Sequence, residues 1–300
     1  MWNKKEEQTM SEKIEFSLSF RGNASDYHEI DFYDVGQALI GFQRSLALTT
    51  HLVLNNQIIT QAPSLKGAKI NAIPPKEGSW EFTTIISVFV AGGYAALTAG
   101  KETVLGNLVN SAYDYVVKQS LGFHVDFDKT LGQQFEEFHY SENSKDVRPE
   151  SRFDSLIEKC EPAIKQMHRP IVESETATSA LIYNGNGTAK TQIGPTLTSE
   201  SFEYLNYSAE SERPADHKGK VSSYNANTYK GRVYIAKHNR PVPFILADNA
   251  RTENNVAKIT DSLSENAKTK FQGGGEIGFN AFSVTSKNGR LKSIIILQVS

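Results

Sequence analysis

The chain has 300 residues and only one cysteine, Cys160. A single cysteine excludes an intramolecular disulfide and a cysteine-based metal cluster, so a reducing, cytoplasmic setting is expected. The formal net charge of -2 excludes a chain that binds nucleic acid through its overall charge. The first residues lack the apolar segment of a signal peptide, and we expect residues 1–12 to form a disordered lead.

Motifs for common enzyme chemistry are also missing. No Gly-x-Ser-x-Gly nucleophile elbow and no Gly-x-x-x-x-Gly-Lys-Ser/Thr phosphate loop occurs. Cys160 lies on the apolar face of a predicted helix, where a buried, unreactive thiol is expected. We therefore predict no catalytic residues and no cofactor, and we favour a non-enzymatic protein.

The organising stretch is Gly67–Val90, in which two strand-like segments flank Pro74-Pro75-Lys76-Glu77-Gly78. Proline fixes φ and glycine permits positive φ, so this arrangement predicts a hairpin. Before it, the alternation from Ile14 to Phe20 predicts a strand with one buried and one wet face. Asp31 or Asp34 can cap a helix that ends near Leu54, and a short strand is expected at residues 57–60.

The fold class predicted from the chain as a whole is α+β. We expect a helix-on-antiparallel-sheet domain over residues 13–140, followed by a helix and polar connector over residues 141–200. Residues 201–300 alternate in a way that predicts strands at 202–207, 219–225, 232–237 and 242–246, then a helix, then a hairpin around Asn288-Gly289. This order indicates a small OB-like β-barrel with one helix.

The uncharged run from Phe82 to Gly100 is nearly long enough to span a bilayer. Its threonines, serine and glycines dilute the hydrophobicity, and no Lys/Arg cluster marks a flank, so a buried strand is favoured over membrane insertion. A Gly/Ala-rich segment can also pack helices closely, which makes a homo-oligomer interface an alternative. The interface candidates are Phe89, Gly92, Gly93 and Tyr94.

Two charged clusters are candidate sites. His124, Asp126 and Asp128 would share one face of a strand and could hold a divalent metal, although a solvated strand face explains the same alternation. Residues 217–251 interleave cations with tyrosines, the pattern with which barrels hold single-stranded nucleic acid, and a protected sheet edge is the alternative. The nucleic-acid candidates are Lys218, Lys220, Tyr224, Tyr229, Lys230, Arg232, Tyr234, Lys237 and Arg240.

The segment Lys76-Glu77-Gly78-Ser79-Trp80-Glu81-Phe82 resembles a pattern in a family of uncharacterised bacterial and prophage-borne proteins. In that family, Lys/Glu-Gly-Ser-Phe/Trp-Glu follows a β-α-β unit and precedes a hydrophobic helix and a separate β-rich part. The resemblance implies bacterial origin and a mobile-element or phage-defence context, and it implies no functional residue.

These observations predict a binding or assembly protein. Its N-terminal half would self-associate, and its C-terminal barrel would recognise a partner, which could be another protein. One alternative is a nucleic-acid-binding protein that uses residues 217–251, and another is a membrane-active effector that inserts residues 82–100.

Overall fold

The structure is a computed structural model that describes residues 13–73, 80–88, 99–123, 131–135, 149–185, 190–238, 240–269, 274–287 and 289–300. Its contacts divide the chain into two units, each discontinuous in sequence. The N-terminal unit comprises residues 1–142 and 159–202, and the C-terminal unit comprises residues 143–158 and 203–300. The predicted α+β class is confirmed.

The N-terminal unit consists of β1 (Lys13–Arg21), α1 (Phe32–Asn55), β2 (Ala68–Ile73), β3 (Glu81–Val88), α2 (Ala99–Ser120), α3 (Pro149–Met167), α4 (Arg169–Val172), β4 (Ser179–Asn184) and β5 (Thr191–Leu197). Its strands form an antiparallel sheet in the order β2-β3-β1-β4-β5. The longer helices α1, α2 and α3 form its helical layer, and the first residues of α3, up to Glu158, belong to the C-terminal unit.

The predicted hairpin is confirmed as the antiparallel pair β2–β3, while its turn lies outside the described residues. Residues 82–88 of the uncharged run therefore lie in β3, a sheet strand with a neighbour on each side. Among the described residues, no helix is both long and apolar enough to cross a membrane. The short strand expected at residues 57–60 is wrong, because this segment is irregular chain.

Strand β1 is confirmed, but its predicted solvent-exposed face is wrong at Ser17 and Ser19. Ser17 is fully buried and Ser19 is 8% exposed. β1 is the central strand, so Ser17 lies between Thr83 and Tyr183 of the neighbouring strands. Side chains on both flanking strands shield such short residues from water, which a single strand's sequence pattern does not reveal.

Helix α1 begins where the sequence predicts. The Asp31 carboxylate accepts a hydrogen bond from the Asp34 backbone N–H at 2.8 Å, which satisfies one of the free donors of the first turn. Asn56 ends the helix in the left-handed conformation. One side of α1 packs into the core through Phe42 and Leu46, both of which are fully buried.

The interior of this unit also buries polar groups. The Cys160 thiol is fully buried, and this burial raises its pKa to about 12, as expected for an unreactive cysteine. Tyr113 hydrogen-bonds to the Ser45 hydroxyl at 2.9 Å. His168 is completely buried, and its Nδ1–H donates to the Ile164 carbonyl at 2.8 Å.

The C-terminal unit contains a closed five-stranded barrel, which confirms the predicted OB-like fold. The elements are α5 (Ser199–Asn206), β6 (Ala209–Glu210), β7 (Ala215–Asn225), β8 (Lys230–Ile235), β9 (Arg240–Leu246), α6 (Glu253–Thr269), β10 (Glu276–Thr285) and β11 (Leu291–Val299). β7, β8 and β9 pair antiparallel, β9 pairs parallel with β11, and β10 closes the barrel between β11 and β7.

Two details of this region test the sequence pattern. The strand predicted at residues 202–207 is wrong, because the segment belongs to helix α5. The Ser201 backbone N–H donates to the Thr198 hydroxyl and the Thr198 N–H to the Ser201 hydroxyl, which together start this helix. The Thr252 hydroxyl accepts from the Asn255 N–H at 3.3 Å and so caps the beginning of α6.

The two glycines of α1 provide a matched test of its packing. A Cβ on Gly41 would lie 2.3 Å from the Ala163 carbonyl oxygen, whereas a Cβ on Gly36 would meet nothing within 4 Å. We expect Gly41→Ala to lower the free energy of unfolding by about 1–3 kcal/mol through overpacking. Gly36→Ala should raise it by about 0.5–1 kcal/mol in dilute solution. Thermal unfolding measures both, and equal effects would contradict this packing of α1.

The burial of the His168 imidazole predicts that the stability of the protein depends on pH. Burial lowers the pKa of His168 to about 4, below its ordinary value of 6.5. The unfolded chain therefore binds a proton more readily between these values. The contribution of His168 to stability is complete above about pH 6.5 and is lost as the pH falls toward 4, by about 3 kcal/mol in all.

Urea unfolding of the wild type and of His168→Gln across this pH range measures the contribution. The stability difference between the two proteins should shrink as the pH falls from 6.5 to 4. A constant difference would show that His168 does not titrate in this way.

Candidate partner-binding face of the C-terminal barrel

Strands β7 and β8 present a basic outer face. Val221, Val233 and Ile235 point into the barrel core, so the alternate positions of these strands point outward. Lys220 lies opposite Tyr234 in the register of the two strands. The face, called here the basic face, consists of Lys218, Lys220, Lys230, Arg232 and Tyr234.

Cations on this face differ in their surroundings. Lys218 and Lys230 are exposed at two separate points of the face. Lys220 lies opposite Glu276 in the pairing of β7 with β10. On β9, Pro241 lies opposite Tyr234 and Pro243 opposite Arg232, which extends the face with apolar surface. The arrangement places positive charge beside an aromatic and apolar strip.

Glu158 of α3 neutralises two of the predicted cations. Its carboxylate contacts Arg232 Nη2 at 2.5 Å and Arg240 Nη1 at 3.3 Å. Arg240 is only 2% exposed, and its other terminal nitrogen donates to the Leu291 carbonyl. Arg240 is therefore part of the barrel's interior architecture, and Arg232 is tied to α3 at one edge of the basic face.

A second carboxylate of α3 lies near the same end of the barrel. Burial raises the pKa of Asp154, while the neighbouring Arg240 and Arg290 guanidinium groups and the His238 imidazole oppose that rise. Asp154 and Glu158 are four residues apart and thus lie on one side of α3. Together they supply negative charge to a cluster of cations that would otherwise repel one another.

Two of the predicted tyrosines serve the barrel core. Tyr224 stacks on Phe244 with ring centroids 6.2 Å apart, and burial raises the pKa of Tyr224. The Arg251 guanidinium lies over the Tyr229 ring at 4.9 Å. Both tyrosines pack against the core cluster, so neither belongs to the basic face.

Lys237 lies outside the strands. It is exposed in a short 3-10 helix, residues 236–238, between β8 and β9. Burial, with Lys237 as a further cause, lowers the pKa of His217. Burial is the largest cause that lowers the pKa of His238, and the charges of Arg240 and then Lys237 lower it further. Lys237 therefore adds positive charge near one end of β8.

The remaining sequence candidates lie outside the described residues. These are the proposed metal ligands His124, Asp126 and Asp128, and the proposed interface residues Phe89, Gly92, Gly93 and Tyr94. Within the described ranges, no group of three or more His, Cys, Asp or Glu side chains is arranged to hold a metal ion.

A polar cleft in the N-terminal unit is a second feature that the sequence did not reveal. It lies between α2 and β5 and has a volume of about 250 Å³. The Asp114 carboxylate accepts from the Gly194 N–H at 2.8 Å and from Lys118 at 2.7 Å. These contacts pair Asp114 and Lys118 with each other and Asp114 with the backbone, so the cleft offers a partner less charge than the basic face does.

A family model described as a domain of unknown function, DUF7946, matches residues 16–205, which is more than half of the chain. The chain belongs to this DUF7946 family. A second model, described as a family of unknown function, DUF7947, matches residues 213–300 and thus covers the barrel strands β7 to β11. Comparison with curated proteins and with solved structures found no match for this DUF7946 member.

The pairing of Glu158 with two arginines can be tested through stability. Glu158→Gln leaves the buried Arg240 charge without its carboxylate, and we expect a loss of about 3 kcal/mol in the C-terminal unit. Glu265→Gln is the control, because the Glu265–Lys268 pair is exposed and solvent screening leaves it little effect on stability. Hydrogen exchange of the β8 and β9 amides measures the effect. Similar losses in both variants would contradict the assignment.

Proposed function

We propose that this protein acts by binding and assembly: its C-terminal barrel recognises a partner, and its N-terminal unit self-associates. The observation that carries the proposal is the closed barrel with one helix between its third and fourth strands. Barrels of this OB type bind oligomeric ligands on the face formed by their second and third strands. Here β8 and β9 are those strands; β8 carries Lys230, Arg232 and Tyr234 of the basic face, and the first strand, β7, carries Lys218 and Lys220.

The chemistry of the basic face favours single-stranded nucleic acid as the partner. Lys218 and Lys230 can track a phosphate backbone, because both are exposed and lie on adjacent strands. Tyr234, beside Pro241, can offer a ring on which a base stacks. An acidic protein segment would use the same cations without the ring, which makes it the alternative partner.

Fluorescence anisotropy with a labelled single-stranded oligonucleotide tests this proposal. The test variant is Lys218→Ala with Lys230→Ala, since Arg232 is already paired with Glu158. The control is Arg213→Ala with Lys268→Ala, which removes two exposed cations from other parts of the same unit. The wild type should bind at low salt and weaken as salt rises from about 50 to 200 mM.

Loss of two phosphate contacts should reduce the slope of log K against log salt by about 1.4, at about 0.7 for each phosphate. The control variant should keep the wild-type slope. Tyr234→Ala should weaken binding without changing the slope, because stacking releases no counterions. Absence of binding at low salt would exclude nucleic acid, and equal losses in test and control variants would exclude the basic face.

A further inference from the structure

The outer side of α1 carries an unusual concentration of exposed apolar residues. Phe32 is 90% exposed, Tyr33 66% and Ile40 54%. Tyr27, immediately before the helix, is 81% exposed. Among the described residues only two other large apolar side chains, Phe123 and Tyr207, are exposed to a comparable extent. Clustering of this kind, as opposed to single scattered residues, marks an interaction surface.

Three residues of α1 form an exposed stripe along one side of the helix. Phe32, Gly36 and Ile40 follow one another at intervals of four residues, so they line one side of the helix. Gly36 is at the centre, and a Cβ added there would meet nothing within 4 Å. The stripe therefore has the Phe32 side chain at one end and the Ile40 side chain at the other, with exposed backbone at Gly36 between them.

An antiparallel second copy fits this stripe. Turning α1 by 180° about an axis through Gly36 places Phe32 of one copy against Ile40 of the other, and each Gly36 against its counterpart. The lack of a side chain at Gly36 allows the two backbones to approach closely. A two-fold axis of this kind produces a self-complementary interface, the commonest form of association for soluble homo-oligomers.

Charge also favours the antiparallel orientation. The exposed carboxylates Glu29 and Asp31 lie at the beginning of the stripe. Arg44 lies one turn beyond Ile40 and is half-buried, with its Nη2 donating to the Thr60 carbonyl at 3.3 Å. An antiparallel pair brings the acidic end of one helix to the basic end of the other. A parallel pair would place Glu29 and Asp31 beside their own copies, where like charges repel.

We propose that α1 is the self-association surface, and that two copies of the chain pair through antiparallel α1 helices across a two-fold axis at Gly36. This inference rests on the self-association part of the proposed function. It assigns the contact to the described stripe on α1, separate from the interface candidates at Phe89–Tyr94. The partner is a second copy of this chain.

Light scattering of the wild type and of Gly36→Leu provides the first test. The wild type should have about twice the monomer mass of 33.3 kDa, and Gly36→Leu should have the monomer mass, with a Tm in dilute solution that is unchanged or higher. Gly274→Leu is the matched control, because a Cβ at Gly274 also meets nothing within 4 Å, and it should remain dimeric.

The outcomes distinguish self-association itself from the assignment of α1 as its surface. A wild type that stays monomeric at high concentration removes self-association altogether. A dimeric wild type whose Gly36→Leu variant remains dimeric overturns α1 as the surface and leaves self-association standing.

Cysteine cross-linking tests the orientation. Cys160 is buried, so an introduced cysteine on α1 is the reactive thiol. Oxidation should link Gly36→Cys into a covalent dimer, because a disulfide requires Cα atoms within about 7 Å. Lys268→Cys, exposed on α6, should stay unlinked.

A mixture of tagged Phe32→Cys and untagged Ile40→Cys should give predominantly the mixed dimer. Predominance of tagged–tagged and untagged–untagged products, or cross-linking of Lys268→Cys as efficient as that of Gly36→Cys, would overturn the antiparallel arrangement.

Discussion

The Glu158 carboxylate holds two arginines of the barrel, and the charge that the barrel presents depends on this contact. Arg240 is nearly inaccessible to water, and a buried guanidinium without a carboxylate would be strongly unfavourable. The contact removes Arg232 and Arg240 from the charge available to a partner. What is left outside is a smaller set of cations on β7 and β8, arranged beside Tyr234. A face of this composition favours a partner that supplies both negative charge and flat aromatic surface.

The N-terminal unit depends on close packing around α1. Its helix α1 must bury one side against the sheet and the end of α3, and Gly41 is required there because the Ala163 carbonyl leaves no room for a side chain. Gly36 on the outer side has no such neighbour, although alanine would favour the helix more. In the proposed dimer, Gly36 leaves room for the backbone of a second copy. The two glycines of α1 would then serve different purposes, Gly41 internal packing and Gly36 association.

Local signals in the sequence predicted much of the fold. Asp31 as a helix cap, the hairpin β2–β3 and the helix between the third and fourth barrel strands all follow from hydrogen-bonding capacity, turn residues and periodicity. Ser17 was misjudged because its burial depends on strands far away in sequence. The helix at residues 199–206 was missed because short aromatic segments fit either period, although the Thr198–Ser201 capping pair was visible.

The candidate site was predicted less completely than the fold. Clustering of Lys and Tyr over residues 217–251 indicated the strands of the basic face, but alternation alone does not say which tyrosines face inward. Tyr224 and Tyr229 pack against the core because a bulge between Val221 and Ser223 changes which residues of β7 face the barrel interior, and because Tyr229 has a positive φ. The role of Glu158 depends on the tertiary placement of α3, for which an i, i+4 pair of acids is the only local signal.

Assembly and recognition reside, in this account, in different units and depend on different forces. The most direct test is the mass of the wild-type protein by light scattering, with and without a short single-stranded oligonucleotide, at low and at high salt. We expect a dimer in all four conditions, which gains oligonucleotide mass only at low salt, because apolar contacts resist screening and phosphate contacts do not. A monomer of 33.3 kDa that does not bind the oligonucleotide at low salt would rule out both proposed surfaces.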